Sequence, residues 1–567
     1  MEYEYDVAVS FAGEDRDYVE KVVRILNTIG LRVFYDKYYQ VDMWGKDLYV
    51  HLHEVYHTKA KYCVMFLSKQ YKEKVWPNHE RQSAQARAME QKNEYILPVR
   101  LDETVIPGVR PTTGYIQASD YPPEKLAAMI AQKINAEPYE FKEFTRKELP
   151  LRYETLRIEG GNQLRGNVRI SGRKNSALAV IPAALLAETQ SVIRNVPDIT
   201  HIETNEKILE SFGVATKRKE NYIIIDPGSL LNCVIPARSR YSFYLAGVLL
   251  ARFGYAKIGM LHSGWEFGPF PYDLHFKGFR ALGAEISKSH NNIEISTHCL
   301  KGNTIYLDWP SDSATINIML AASRAHGTTV IQNAAKDIHV IDIANFLGKM
   351  GVPLSGAGTD TIIIHGVDSI EGCSYIIAPD DIEAAFFMAA TVATKGEIQL
   401  EGIVPAHIDC LIDKFREIGA DITVGNQYIK VACHNRPVNV SILPQPHPGF
   451  PLEAQPILAA VLATADGISV ITELTAPIHT LSLKIVNGLK KMGAQISFEG
   501  RNLIIKGVNE LHAITEESYD YLGTAGLVVA ALGTNGITKI NNAQSLQMGF
   551  EYFPEKLREL GGNIHIY

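Results

Sequence analysis

Met492-Gly493-Ala494-Gln495-Ile496-Ser497-Phe498, followed by Leu503-Ile504-Ile505-Lys506, carries the pattern on which most of this chain is built. A glycine after an apolar residue suits the left-handed position that closes a helix. The two apolar runs after it read as a strand pair. The same apolar-Gly-small triplet occurs as Phe212-Gly213-Val214, Leu282-Gly283-Ala284, Met350-Gly351-Val352, Ile418-Gly419-Ala420 and Leu560-Gly561-Gly562. Its glycines lie 70, 68, 68, 74 and 68 residues apart. Alanine-rich stretches that read as buried helices precede them, for example 384–394 and 454–463. A fixed period of this length means one strand-and-helix unit copied several times. Six copies predict two three-unit lobes rather than a solenoid.

The start of this region, Asn167-Val168-Arg169-Ile170-Ser171-Gly172-Arg173-Lys174-Asn175-Ser176-Ala177-Leu178, resembles the opening of the enolpyruvyl transferases. Among them it is most similar to UDP-N-acetylglucosamine enolpyruvyl transferase. Further matches are Leu250-Ala251-Arg252-Phe253-Gly254, Pro271-Tyr272-Asp273-Leu274-His275, Asn333-Ala334-Ala335 and Pro446-His447-Pro448-Gly449-Phe450-Pro451. The resemblance covers residues 154–567. It implies an α/β architecture of two inside-out α/β-barrel lobes, built from six repeats of one unit, with a ligand cleft between them. Lobe one would be 174–379, and lobe two 154–173 plus 380–567. Lys174, Asn175, Arg240 and Asp520 match positions of the family's cleft. Glu453 sits where a carboxylate contacts the sugar. Pro271, Asp273, Leu274, His275 and Ser311 match the stretch that holds uridine and its phosphates. The resemblance therefore implies a nucleotide-sugar site.

The chain also departs from that family. A loop cysteine is the family's general acid, with an arginine shortly after it. Here Trp265 stands at the first position and Phe270 at the second. Leu522 and Met548 replace two arginines that grip phosphate and carboxylate, and a third position, near His479, has none. An indole cannot donate the proton that a thiol can, and phosphoenolpyruvate would meet a cleft stripped of its counter-charges. The expectation is a degenerate transferase acting as a sensor or oligomerisation domain.

Ahead of the repeats, residues 1–137 alternate strands with helices, which predicts a parallel sheet. Neither GxGxxG nor GxxxxGK[ST] occurs, so the two commonest phosphate loops are absent. Tyr5-Asp6-Val7-Ala8-Val9-Ser10-Phe11, Val33-Phe34-Tyr35-Asp36, Trp44-Gly45-Lys46-Asp47-Leu48, Phe66-Leu67-Ser68 and the Trp-x-x-x-Glu of 76–80 together resemble a bacterial TIR domain. That resemblance implies a flavodoxin-like fold. It also implies that Glu80 is the carboxylate that enzymatic members use to cleave NAD at the nicotinamide–ribose bond. Pro77 and Asn78 mark a helix start, so Glu80 is expected in a first helical turn at the rim of the sheet, where open α/β sheets bind ligands. Phe11, Asp36, Trp44 and Trp76 are the residues expected to line that NAD pocket. A charged segment, 138–153, would link the two parts.

The remaining sequence narrows the function classes. A net charge of −7 gives no general attraction to nucleic acid or to an anionic membrane. No apolar run is long enough to span a bilayer, and the acidic start is unlike a leader peptide. Six cysteines, with no CxxC pair, predict reduced thiols in a cytoplasmic protein and no metal site. The reading is a TIR-domain NAD+ glycohydrolase effector of antiphage defence, a hydrolase with NAD as substrate and no cofactor. UDP-N-acetylglucosamine or a related nucleotide sugar is the expected ligand of the second part, and a homo-oligomer the expected active state. The alternatives are an active enolpyruvyl transferase with a TIR scaffold and a non-enzymatic TIR adaptor.

Overall fold

The computed structural model describes residues 3–28, 31–35, 54–73, 95–102, 104, 115–121, 123–134, 155–219, 221–229, 234–235, 240–259, 272–288, 292–472 and 479–567, and the structure below is that of these residues. In the N-terminal part, strands Val33–Phe34, Tyr5–Ser10, Ala60–Leu67, Ile96–Arg100 and Ile116–Gln117 form one sheet in that order, parallel throughout. Val7, Val9, Val64, Phe66 and Val99 face one layer, where helices Arg16–Thr28 and Pro123–Ile134 cover them. Ala8, Cys63, Met65 and Leu67 face the other. A parallel strand buried on both faces must be apolar at nearly every position, and Val64-Met65-Phe66-Leu67 is.

The larger part holds six four-stranded sheets, and their pairing pattern is the same in each. A short edge strand lies parallel to a second strand, and two further strands follow antiparallel. Ser441–Ile442, Ile468–Thr472, Asn502–Lys506 and Gln495–Glu499 are one such set. The alanine-rich helices lie inside, whereas others, such as Thr200–Ser211 and Asp409–Glu417, bury one face only. Lys174–Ala183 and Tyr521–Leu532 are enclosed almost all round, whereas strand residues alternate between core and solvent. This explains why the enclosed helices are rich in alanine: small side chains let them approach closely, with no polar face to present.

The six glycines of the period all take left-handed backbone, with φ of 80°, 93°, 96°, 103°, 98° and 91° in chain order. Each ends a helix, and the next amide bonds back to it, as Val214 N does to Leu209 O.

Buried apolar residues fall into two cores. One draws on 177–377 and the other on 156–170 together with 382–564. Strand Thr155–Gly160 pairs with Gly536–Asn541 and Asn563–Ile566, so the second core is closed by both ends of the region. The chain passes between lobes twice, side by side. Gly172 bridges Pro379, Arg173 N donates to Ala378 O (2.8 Å), and Asp380 N donates to Ser171 O (2.9 Å). A Cβ on Gly172 would lie 1.7 Å from Asn195 O, so only glycine fits this crossing.

Candidate functional site

In the N-terminal sheet, Phe11 follows the first strand and is 9% exposed. Its ring stacks on Tyr35 at 5.5 Å, and the Arg16 guanidinium lies over both rings, 5.2 and 5.7 Å away. Asp36, Trp44, Trp76 and Glu80 lie outside the described residues. At the same sheet edge, Ser68 Oγ donates to Asp15 Oδ2 (2.6 Å) and caps Tyr71 N (3.0 Å), and Tyr71 Oη meets Ser10 Oγ (2.7 Å). Burial pushes the Asp15 carboxyl above its ordinary range, against the Ser68 bond. Sequence reasoning passed over Asp15 and Tyr71, because only the fold brings residues 10, 15, 68 and 71 together.

The second site lies between the lobes, beside the double crossing. A small cleft, with room for about one water, is walled by Arg173, Lys174, Asn175, Asp380, Ile382, Glu453, Tyr521, Gly549 and Phe550. Lys174 and Asn175 open a wholly buried helix. Asp380 caps the helix Asp381–Ala393, accepting from Ile382 N (2.9 Å) and Glu383 N (3.0 Å), and its other oxygen accepts from Lys174 N (3.0 Å). Glu453 Oε1 accepts from Asn175 Nδ2 (3.4 Å) and from Tyr521 Oη (3.5 Å). The Lys174 ammonium rests 3.7 Å above the Tyr521 ring. Arg173 is buried in an ion pair with Asp381. The structure thus brings together Lys174, Asn175 and Glu453 as the sequence proposed. Asp520 caps the helix Tyr521–Leu532, accepting from Gly523 N (2.9 Å). Leu522 is enclosed, and Met548 ends a short turn at Ala543–Met548.

The stretch that the resemblance assigns to uridine opens the helix Tyr272–Ala281. His275 is 1% exposed, with Nδ1 3.1 Å from Asn317 Nδ2 and Nε2 3.3 Å from Ser313 Oγ. Burial pushes its pKa down to about 3, so its imidazole is neutral. Since Nδ1 accepts from an amide, Nε2 carries the proton. Asp273 is exposed and Leu274 half-buried. Ser311 Oγ caps Ala314 N (3.3 Å) at the start of helix Asp312–Ala322. Asp312 Oδ1 accepts from Ser313 N (2.7 Å), and its Oδ2 pairs with buried His339 Nε2 (3.0 Å). Pro271, Trp265, Phe270 and the side chains of Arg240 and His479 lie outside the described residues.

Sequence reasoning missed Tyr521, Asp337 and His339 in this region. Burial, then the Asp312 and Glu453 carboxylates, push Asp337 above its ordinary range, while His339 and Arg173 oppose. His447 is pushed down by burial and by Arg173, His407 and His339. No signal marks these residues in one dimension, since they come from both lobes.

Among the described residues, no group of three or more His, Cys, Asp or Glu is arranged to hold a metal. No helix among them is long and apolar enough to cross a membrane. The five described cysteines are free thiols.

Comparison with known proteins covers both parts. A family model for EPSP synthase (3-phosphoshikimate 1-carboxyvinyltransferase) matches residues 158–557, and a TIR domain model matches 7–130. The chain is 44% identical over 415 residues to UDP-N-acetylglucosamine 1-carboxyvinyltransferase 3 of Caldanaerobacter subterraneus subsp. tengcongensis, covering 72% of this chain and 99% of that protein. It is 42% identical over 416 residues to UDP-N-acetylglucosamine 1-carboxyvinyltransferase 2 of Clostridium acetobutylicum, with the same shares covered. Among solved structures, the enolpyruvyl transferase NikO from Streptomyces tendae superposes with a TM-score of 0.64 at 23% identity, over 73% of this chain and 99% of that one. EPSP synthase from Acinetobacter baumannii gives 0.60 at 19%, over 73% of this chain and all of that one.

Proposed function

Because the chain belongs to the EPSP synthase (3-phosphoshikimate 1-carboxyvinyltransferase) family over residues 158–557 and carries a TIR domain ahead of it, we propose that it is an NAD+ glycohydrolase whose TIR domain is controlled by a transferase-like partner that has lost its own chemistry. The observation that carries the loss is the engagement of the cleft's cations by the chain itself. Arg173 is held by Asp381, and Tyr521 lies under Lys174. With Leu522, Met548, Trp265 and Phe270 at positions where the enzymes use arginine or cysteine, phosphoenolpyruvate loses the counter-charges and the proton donor that those positions supply. The two lobes are taken as inside-out α/β barrels of three units each. The cleft is then a sensor for UDP-N-acetylglucosamine or a related nucleotide sugar.

In the TIR domain, Glu80 is the catalytic carboxylate. It orients the ribose hydroxyls and offsets the positive charge that builds on the sugar as the bond to nicotinamide breaks. Water or another nucleophile then takes the ribosyl carbon, which yields ADP-ribose, a cyclic isomer or a conjugate. Phe11, Asp36, Trp44 and Trp76 line the pocket. Self-association in the cytoplasm brings the domain to its active state, and NAD depletion or a product signal serves antiphage defence.

Mass spectrometry of NAD incubated with the concentrated protein tests this reading. Nicotinamide release is expected, with a loss of at least a hundredfold in Glu80→Gln. Intact NAD under every condition, or equal turnover in the variant, would overturn it. The 44% identity to a carboxyvinyltransferase over nearly that enzyme's full length favours a second reading, an active transferase. Phosphate release from phosphoenolpyruvate with UDP-N-acetylglucosamine would establish it, and we expect none. A non-enzymatic adaptor would leave both substrates intact.

A further inference from the structure

The N-terminal sheet reverses its winding between strands Tyr5–Ser10 and Ala60–Leu67, since the second strand in the chain lies on one side of the first and the third on the other. The crevice beyond the carboxyl ends of such a pair is where open α/β sheets place their ligands. Here a hydrogen bond spans it. Ser68 Oγ donates to Asp15 Oδ2 at 2.6 Å, which joins the loop after the first strand to the loop after the third. The same oxygen takes the Tyr71 amide at 3.0 Å, and the Ser68 carbonyl takes the Lys72 amide at 3.2 Å. Asp102, past the end of strand Ile96–Arg100, closes the other side. Its Oδ2 accepts from Lys69 N and its Oδ1 from Thr104 N, each at 2.8 Å.

Helix Lys69–Glu73 is therefore clamped at its first turn by loops from three strands. Ser68 satisfies one amide and Asp102 a second, and Asp15 holds the Ser68 hydroxyl in place. So short a helix has no stability of its own, because its few internal bonds do not offset nucleation. The clamp gives it its position. The chain then runs from Glu73 to Glu80 in seven residues. The sheet edge is thus tied to the start of the segment that carries the proposed catalytic carboxylate.

Asp15 weakens the fold that it braces. Burial, then the Asp102 and Glu14 carboxylates, push its carboxyl above the ordinary range, against the Ser68 bond. A carboxyl whose folded-state pKa exceeds its unfolded one is ionised at pH 7 at a cost to the native state. An amide would accept the same hydroxyl without that cost. What the carboxylate adds is firmness. A hydroxyl bonded to an ionised acceptor is held closer and about twice as strongly as one bonded to a neutral acceptor, and 2.6 Å is such a distance. The position thus trades stability for a fixed geometry at the rim of the sheet, as functional sites do.

We propose that Asp15 is a positioning residue for NAD cleavage, acting through Ser68: their bond sets where the segment leading to Glu80 begins. The proposal rests on the reading of Glu80 as the catalytic carboxylate. Asp15 passes no proton and touches no substrate in this role. Misplacing a reacting group by about 1 Å can cost about a hundredfold in rate. Loss of the bond therefore falls on kcat, while KM for NAD stays.

The test is steady-state cleavage of NAD by the full chain at pH 7, with melting temperature and amide hydrogen exchange measured on the same proteins. Asp15→Ala and Ser68→Ala should each lower kcat at least tenfold and leave KM within about twofold. The double variant should fall no more than about threefold below either single one, because the two side chains act through one bond. Ser68→Thr, which keeps the hydroxyl, should hold kcat within about threefold. Asp15→Asn should melt at or above the wild-type temperature while losing kcat about threefold or more, a division that a merely structural residue would not give. These two conservative variants keep the test decisive where an alanine variant does not fold. Exchange of amides 69–73 should rise in Asp15→Ala and Asp15→Asn, with strand Ala60–Leu67 unchanged. Full kcat in Asp15→Ala, additive losses in the double variant, a change confined to KM, or unchanged exchange at 69–73 would overturn the proposal. Wild-type protein that left NAD intact would instead overturn the assignment of Glu80, and the exchange would still decide whether Asp15 holds the helix.

Discussion

Lys556 illustrates how much one buried charge carries. Its ammonium donates to Glu383 Oε1 and to Ser171 Oγ, both at 2.6 Å, and Glu383 Oε2 takes the Ser171 amide at 2.6 Å. Burial pushes the Glu383 carboxyl above its ordinary value of 4.5, against Lys556 and that amide. Removing one partner of a buried pair strands the other, which costs about 3–5 kcal/mol. Lys556→Met should therefore destabilise the protein by about 3 kcal/mol in urea denaturation at pH 7. A carboxyl whose folded-state pKa is raised holds its proton longer in the native state than in the unfolded one. Stability then falls as pH rises from 4.5 towards the folded-state value. The deficit of Lys556→Met should accordingly shrink on acidification from pH 7 towards 5, and Glu383→Gln in that background should recover part of it. A deficit that does not change with pH would show that Glu383 is not the stranded group. None of this is legible in sequence: residues 171, 383 and 556 are separate in one dimension, and nothing in their local patterns pairs them.

At the scale of elements, the left-handed residues tell most. Asn195, Asn333 and Asn542 follow the second strand of three different sheets with φ of 57°, 53° and 55°, and Gly402 takes φ 69° in a fourth. Asparagine tolerates this backbone better than other side chains. In two cases its amide also tethers the neighbouring edge strand, Asn195 Nδ2 to Ile377 O (3.0 Å) and Asn333 Nδ2 to Leu307 O (2.8 Å). The two contributions separate by substitution. Asn333→Gly keeps the backbone and loses the bond, at about 1 kcal/mol. Asn333→Ala loses the bond and adds backbone strain, at about 2–3 kcal/mol together. Equal losses in thermal unfolding would refute the division. The period of six glycines was readable because helix closure by glycine is a local backbone requirement. The parallel sheet of residues 5–117 was readable because strands there alternate with helices, and a helix between strands returns the chain to pair in parallel. Tyr521 under Lys174 was not, because that contact exists only once two helices from different lobes converge. Nor was the enclosure of His275, whose surroundings come from residues 243, 313 and 317.

For the whole molecule, the lobes meet at more than the double crossing. Asp198 N donates to Glu551 Oε1 (2.9 Å), Tyr552 Oη donates to Asp198 Oδ2 (2.8 Å), and Glu551 Oε2 accepts from Ser171 Oγ (2.5 Å). The second lobe also needs residues 155–169, which supply one strand to each of two sheets. A fragment starting at residue 154 should therefore melt as a folded unit. One starting at 171 should lose the cooperative transition of that lobe by calorimetry, while retaining the buried residues of the first. A fragment from 171 that melted like the longer one would contradict the shared closure.

That closure also sets an order in time. The strand Thr155–Gly160 waits for partners at Gly536–Asn541 and Asn563–Ile566. At 5–20 residues per second, the roughly four hundred residues between them take on the order of 20–80 s to synthesise. The TIR segment therefore leaves the ribosome, and has that long to fold, before the second lobe can close.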